Sequence, residues 1–201
     1  MAQNNYDYTL KILVIGDYMV GKTSLIQRFT KGTFLGLNPA TITLDFENKI
    51  LKKDDKLIKV QTWDACRPND PFWISNSIYR GMHGIVITYD ITDKNSFIDL
   101  RKWFDEILRN APFDTRIILI GNKYDLSNER KVTEEEGKKF ADEFGMLFFE
   151  TSAKTGYNVN FAFETLIEDI IKHFKHIEER EITLKKDDKR NINIKKNRCS
   201  K

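Results

Sequence analysis

Between a short apolar run and a helical pattern stands Gly16-Asp17-Tyr18-Met19-Val20-Gly21-Lys22-Thr23, which fits the spacing G-x-x-x-x-G-K-S/T. A glycine-rich turn of this kind directs backbone N–H groups at one spot, and the helix that follows aims its positive end there. The anion that such a cradle suits is a chain of phosphates. Lys22 would reach the outer phosphates, and the Thr23 hydroxyl would ligate Mg2+. The competing reading is a glycine-rich turn that fits the pattern by chance. A strand before the turn and a helix after it count against that.

A second group addresses the base. "GNKYDL" places Asn122, Lys123 and Asp125 directly after the apolar run Arg116–Ile120. A carboxylate accepts two hydrogen bonds at once from neighbouring N–H groups. Guanine offers that pair on its Watson–Crick edge and adenine does not, so Asp125 is a natural guanine selector and the Lys123 stem can cover the ring face. "TSAK", Thr151 to Lys154, follows the run Leu147–Glu150 and can offer a backbone N–H to the base carbonyl. Each tetrapeptide alone reads as an ordinary loop or cap; the three motifs in this order, each after a strand, reinforce one another.

These residues need a scaffold that gathers them. Leu10–Ile15, Gly84–Tyr89, Arg116–Ile120 and Leu147–Glu150 are short apolar runs, as strands buried on both faces should be. Helical patterns alternate with them. Val159, Ala162, Phe163, Leu166, Ile167, Ile170, Ile171 and Phe174 mark one helix. Phe97, Leu100, Phe104, Ile107 and Leu108 mark another, with Ser96 as its expected N-cap. "TLDFENKILKKDDKLIKVQTW" reads as a hairpin turning at Asp54-Asp55. The alternation predicts an α/β fold around a mostly parallel sheet with helices on both faces, and ligands outside the carboxyl ends of the strands.

With these motifs in place the chain resembles a small GTPase of the Ras superfamily, and within it most of all a Rab. "ATITLDF" is similar to the first switch, with Thr41 at the position that ligates Mg2+ and senses the γ-phosphate. "TWD" resembles the end of the strand that opens the second switch, with Asp64 reaching Mg2+ through water, and "YRGMHGIVITYDITD" follows the Rab pattern closely. Phe34 matches the aromatic residue that edges the guanine. The resemblance implies a P-loop small G domain with a six-stranded sheet, one strand antiparallel, over residues 8–177. A flexible N-terminus would cover residues 1–7 and a basic tail residues 178–201. It further implies binding of GTP or GDP with Mg2+ through Gly16 to Ser24, Phe34, Thr41, Asn122, Lys123, Asp125, Ser152, Ala153 and Lys154. Effectors and an exchange factor would read the switches. The family's aromatic patch is matched by Phe46 and Trp63, with Ile78 where a tyrosine is usual; the alternative is that Phe46 and Trp63 merely pack on the hairpin.

The departures from the family fall on one function. Aligned on Trp63-Asp64, the family reads W-D-T-A-G-Q-E, whereas this chain reads Trp63-Asp64-Ala65-Cys66-Arg67-Pro68-Asn69. Pro68 stands where a glutamine orients the attacking water, and it has no polar side-chain atom. Arg67 stands where a glycine serves as γ-phosphate donor and hinge, and the following proline biases it towards extended backbone. Pro68 and Pro71 also speak against an ordered helix in this segment. Tyr18 and Met19 replace the usual small residue and glycine of the phosphate loop, and Tyr18 crowds the space an arginine finger would use. The first reading is a guanine-nucleotide switch in membrane traffic whose hydrolysis is slow or nearly absent. The second is a GTPase that uses Arg67 in cis as its finger. The third is a scaffold that holds only GDP, or no nucleotide.

The chain has 201 residues, 40% hydrophobic and 31% charged, an ordinary soluble balance with enough length for one core. "MAQNNYDYTL" lacks the features of a signal peptide, and the two cysteines suit a reducing compartment. Net charge is +3; residues 178–201 hold nine Lys or Arg against five Asp or Glu, so the tail carries +4 and the rest sums to −1. A body of this charge argues against nucleic acid as a partner. A basic tail suits an anionic membrane, or is simply solvated. Cys199 has only two residues after it, one short of a C-a-a-X box, so single-cysteine prenylation and an unmodified thiol both stand. The expected setting is cytoplasmic, on the cytosolic face of endomembranes, as a monomer. His83, His173 and His176 have no metal spacing.

Overall fold

The computed structural model describes residues 6–36, 45–65 and 76–176. Chain contacts divide it into two units, Met1–Ile167 and Glu168–Lys201. The first unit contains a six-stranded sheet of order β2-β3-β1-β4-β5-β6. Its strands are β1 (Tyr8–Gly16), β2 (Asp45–Lys53), β3 (Lys56–Asp64), β4 (Gly84–Asp90), β5 (Arg116–Asn122) and β6 (Leu147–Glu150). β1 lies at the centre, parallel to β3 on one side and to β4 on the other. β4–β5 and β5–β6 continue in parallel, and β2 pairs antiparallel with β3.

The burial of each strand follows its place. All seven residues of β4 and the last five of β1 and β5 are buried, which explains their unbroken apolar sequence. β3 alternates between buried and half-buried residues, and the edge strand β2 is mostly exposed. The β2–β3 turn falls at Asp54 and Asp55 as expected, with φ of 47° and 59°. A two-residue hairpin turn needs positive φ at both positions, which aspartate tolerates better than most residues.

Helices fill both sides. On one, Leu13, Ile15, Ile85, Ile87 and Leu119 pack with Leu100, Trp103, Phe104 and Ile107. On the other, the alternate residues Ile12, Val14, Val86, Ile118 and Ile120 are also buried, together with Leu25, Ile26 and Phe29 of helix α1 (Lys22–Lys31). The Phe29 ring stacks on Phe163 at 4.4 Å between centroids. Each fully buried Leu, Ile or Phe contributes about 1.5–3 kcal/mol, so these layers carry most of the stabilisation. Phe163 belongs to α6, the helix over 159–176, where its expected pattern puts it.

The helix expected around Phe97–Leu108 is two. After the single turn α2 (Asn76–Tyr79) and β4 come α3 (Lys94–Ile98) and α4 (Leu100–Asn110), with Asp99 between them. Ser96 is not a cap. Asp93 caps α3 by accepting from the Asn95 N–H, while the Ser96 hydroxyl accepts from Asp90 N–H and donates to the Asp93 carbonyl. Leu108 is 65% exposed, so it falls outside the buried stripe of α4. The pattern signalled helix correctly but could not see that an Asp three residues earlier caps better than a serine already inside the turn. A 3-10 segment, Tyr124–Glu129, and α5 (Glu134–Glu143) complete the unit. Thr133 and Glu136 close a reciprocal capping box at the start of α5.

Candidate functional site

The carboxyl ends of β1, β3, β4, β5 and β6 lie along one edge of the sheet, and they deliver Gly16, Asp64, Asp90, Asn122 and Glu150 there. The turn after β1 is shaped by two glycines. Gly16 has φ of 140°, and a Cβ on it would stand 2.1 Å from the Thr88 carbonyl oxygen of the neighbouring strand. Gly21 has φ of 99°, and a Cβ there would stand 2.3 Å from Asn122 Nδ2. Neither position admits a side chain without movement of its neighbour.

Gly21 is also the N-cap of α1 and has no side chain to cap it, and the first turn holds no acidic residue. The amino end of the helix is therefore not neutralised by its own sequence, as an anion site requires. Lys22 is 4% exposed, and its ammonium donates to the carbonyls of Gly16 at 2.9 Å and Asp17 at 2.7 Å. The loop thus holds this cation inside its own curve. Thr23 Oγ1 donates to Asp64 Oδ2 at 2.5 Å, and Asp64 is 5% exposed. A hydroxyl and a carboxylate oxygen meeting beside a phosphate cradle are hard donors of the kind Mg2+ prefers, so the pair fits that ion.

Asn122 is the hub of the site. Its side chain, 1% exposed, donates from Nδ2 to the Val20 carbonyl at 2.9 Å. Its Oδ1 accepts from the Thr151 hydroxyl and from the Ala153 N–H, both at 3.2 Å. One amide thereby joins the phosphate loop to the segment after β6. Asp125 is braced on that segment as well. It accepts from the Ser152 hydroxyl at 2.6 Å and lies 3.7 Å from Lys154 Nζ. Lys123 adopts the left-handed conformation at φ of 68°, and its ammonium pairs with Asp90 Oδ2 at 2.6 Å.

Asp17 is tied from another direction, accepting from the indole N–H of Trp103 on α4 at 2.7 Å. Burial raises its pKa above the ordinary carboxylate value, and the nearby Asp99 pushes the same way; the Trp103 bond and Lys22 oppose them. Tyr18 and Met19 turn outward, 49% and 60% exposed, and Met19 holds φ of 65° without being glycine.

Of the residues singled out by sequence, Gly16 to Ser24, Asp64, Asn122, Lys123, Asp125, Ser152, Ala153 and Lys154 come together at this edge. Asn122 is the last residue of β5 rather than part of the loop after it. Phe34 lies half-buried past the end of α1. Thr41, Cys66, Arg67, Pro68, Pro71 and Cys199 lie outside the described residues. Phe46 and Trp63 form a cross-strand pair with ring centroids 4.8 Å apart, and Phe46 is 40% exposed. Trp63 and Ile78 also pack on the core. Sequence reasoning missed Arg28, Asp90 and Trp103. Arg28 and Trp103 bond to site residues 125 and 86 positions away, which no local spacing can signal.

The Ras family model matches residues 11–172. The chain belongs to the Ras family. Among its relatives, GTP-binding protein ypt2 of Schizosaccharomyces pombe is 42% identical over 172 residues, 86% of each chain. GTP-binding protein YPT1 of Saccharomyces cerevisiae is 41% identical over 192 residues, 96% of this chain and 93% of that one. Ras-related protein Rab-13 of Mesocricetus auratus is 40% identical over 194 residues, 94% of this chain and 96% of that one. The chain is a Rab-like small GTPase, and its six-stranded, mostly parallel sheet with one antiparallel strand is that of a Ras-family small G domain. Among the described residues no helix is long and apolar enough to cross a membrane, and no cluster of three His, Cys, Asp or Glu is arranged to hold a metal.

Proposed function

We propose that this chain is a Rab-like guanine-nucleotide switch in vesicle traffic that binds GTP or GDP with Mg2+ and hydrolyses GTP slowly. The observation that carries the reading is the meeting of two halves at one sheet edge. The phosphate half is the Gly16–Thr23 loop with buried Lys22 and the Thr23–Asp64 pair. The base half is Asp125 braced by Ser152, with the Ala153 N–H beside it. Lys22 would exchange its loop carbonyls for phosphate oxygens, and Thr23 with Asp64 and Thr41 would hold the ion. Bound Mg2+ neutralises charge on the outer phosphates. Asp125 would accept two hydrogen bonds from guanine, and the Lys123 stem, fixed by Asp90, would lie against the ring.

Slow hydrolysis rests on what this chain lacks. Pro68 cannot orient a water, Arg67 cannot serve as a glycine hinge, and Tyr18 stands half-exposed on the phosphate loop where an arginine finger would enter. Catalytic assistance of this kind contributes about 10³–10⁵ in rate, so its loss leaves the GTP form long-lived. Effectors and an exchange factor would read the switches through Phe46, Trp63 and Ile78. The basic tail over 178–201, with or without a lipid on Cys199, would hold the monomer at the cytosolic face of an endomembrane. The test is single-turnover GTP hydrolysis by the wild type and by the double variant Arg67→Gly, Pro68→Gln. The variant is expected to be faster by at least about tenfold; equal rates overturn the reading.

A further inference from the structure

Arg28 lies on α1, away from the phosphate loop, and none of the site motifs includes it. Its guanidinium is nonetheless committed to the base side of the pocket. Nε donates to the Ala153 carbonyl at 2.8 Å, and Nη2 donates to the Lys154 carbonyl at 2.7 Å. The third bond runs from Nη1 to the Gly32 carbonyl at 2.6 Å. Gly32 is the C-cap of α1, and its own N–H donates back to the Arg28 carbonyl at 3.1 Å. The fork is thus anchored at its root by the helix end and grips two successive peptide groups of the loop after β6.

Two successive carbonyls held by one planar group fix the peptide planes on either side of Lys154. The Ala153 N–H is set from the other side by Asn122 Oδ1 at 3.2 Å. The Arg28 fork and the Asn122 amide therefore hold Ala153 from its carbonyl end and its amide end. A guanidinium does this through rigid geometry. Lysine has the charge but not the fork, so it cannot replace both bonds. A merely structural tie would stabilise the loop without regard to what the loop touches. This one sets the direction of the Lys154 N–H, which lies in the same trans peptide plane as the Ala153 carbonyl that Nε holds and belongs to the segment read as meeting a base carbonyl.

We propose that Arg28 is a positioning residue for base recognition, holding the Ala153–Lys154 peptide so that the Lys154 N–H meets the 6-oxo group of guanine. The inference rests on the guanine-nucleotide reading above and names the residue that aligns its carbonyl contact. The test pairs a change in the protein with a change of one ligand atom. Dissociation rates of GDP and of 6-thio-GDP, whose sulfur is a weak acceptor, are measured by displacement with excess nucleotide for wild type, Arg28→Ala and Arg28→Lys.

In the wild type 6-thio-GDP should leave several-fold faster than GDP. Arg28→Ala should speed GDP release about tenfold but speed 6-thio-GDP release by no more than about threefold, since that ligand has already lost the contact. Arg28→Lys should behave like the alanine variant. Equal acceleration of both ligands overturns the positioning role and leaves Arg28 a general brace, as does unchanged GDP release. A wild type that does not distinguish the two ligands defeats the base-site reading itself, and the proposal with it.

Discussion

Removing the Asn122 side chain tests the hub directly. In Asn122→Ala the Val20 carbonyl, the Ala153 N–H and the Thr151 hydroxyl all lose a partner, and all three bonds are buried. A buried polar group left unpaired costs about 1–3 kcal/mol. The three share one partner and their costs do not add fully, so the total is about 3–6 kcal/mol. Water entering the gap brings the loss to the lower figure. For a protein of this size each kcal/mol shifts Tm by about 2–4 °C, which predicts a fall of about 6–24 °C. The assay is thermal unfolding by circular dichroism at matched, saturating GDP, because bound ligand stabilises by mass action and must not differ between samples. The phosphate loop and the base loop lose a side chain that joins them, so GDP release should accelerate as well. A Tm within about 2 °C of wild type would refute the reasoning, since three buried bonds cannot vanish at so small a cost.

Two further variants follow from the geometry. Met19 holds φ of 65° with its side chain 60% exposed, so Met19→Gly should relieve about 1–2 kcal/mol of left-handed strain, lose less than that in packing, and raise Tm by about 1–4 °C; a lowered Tm would contradict this. His83 is held neutral by burial, with Lys11 acting in the same direction and Asp114 against it, and its Nδ1 accepts from the Lys11 N–H at 2.9 Å. Its pKa lies below the ordinary 6.5, so its stabilisation is complete above that pH and is lost as pH falls through the depressed value. His83→Asn keeps an acceptor without the titration and should flatten the acid side of a urea-midpoint profile between pH 7.5 and pH 5; two parallel profiles would show that His83 does not set it.

The sequence by itself determined the parts that depend on local chemistry. Gly16 to Thr23, the strand runs, and the Asp54-Asp55 turn are legible because each imposes its own backbone conformation or burial pattern within a few residues. Asp125 is legible because a carboxylate at that spot has a small set of uses. Tertiary structure decided what bonds across the sheet. Asn122 reads as one letter of a loop motif, yet its amide joins Val20 to Ala153 only because β1, β4, β5 and β6 end at a common edge. No sequence pattern singles out Arg28 or Trp103, and they become site residues only when α1 and α4 bring them to Ala153 and Asp17. Ser96 has a cap's chemistry but lies inside the turn that Asp93 caps, and only backbone geometry fixes which oxygen faces the open N–H. Short-range steric and hydrogen-bond preferences are written in neighbouring letters, whereas a contact between distant positions exists only once the sheet has set their distance.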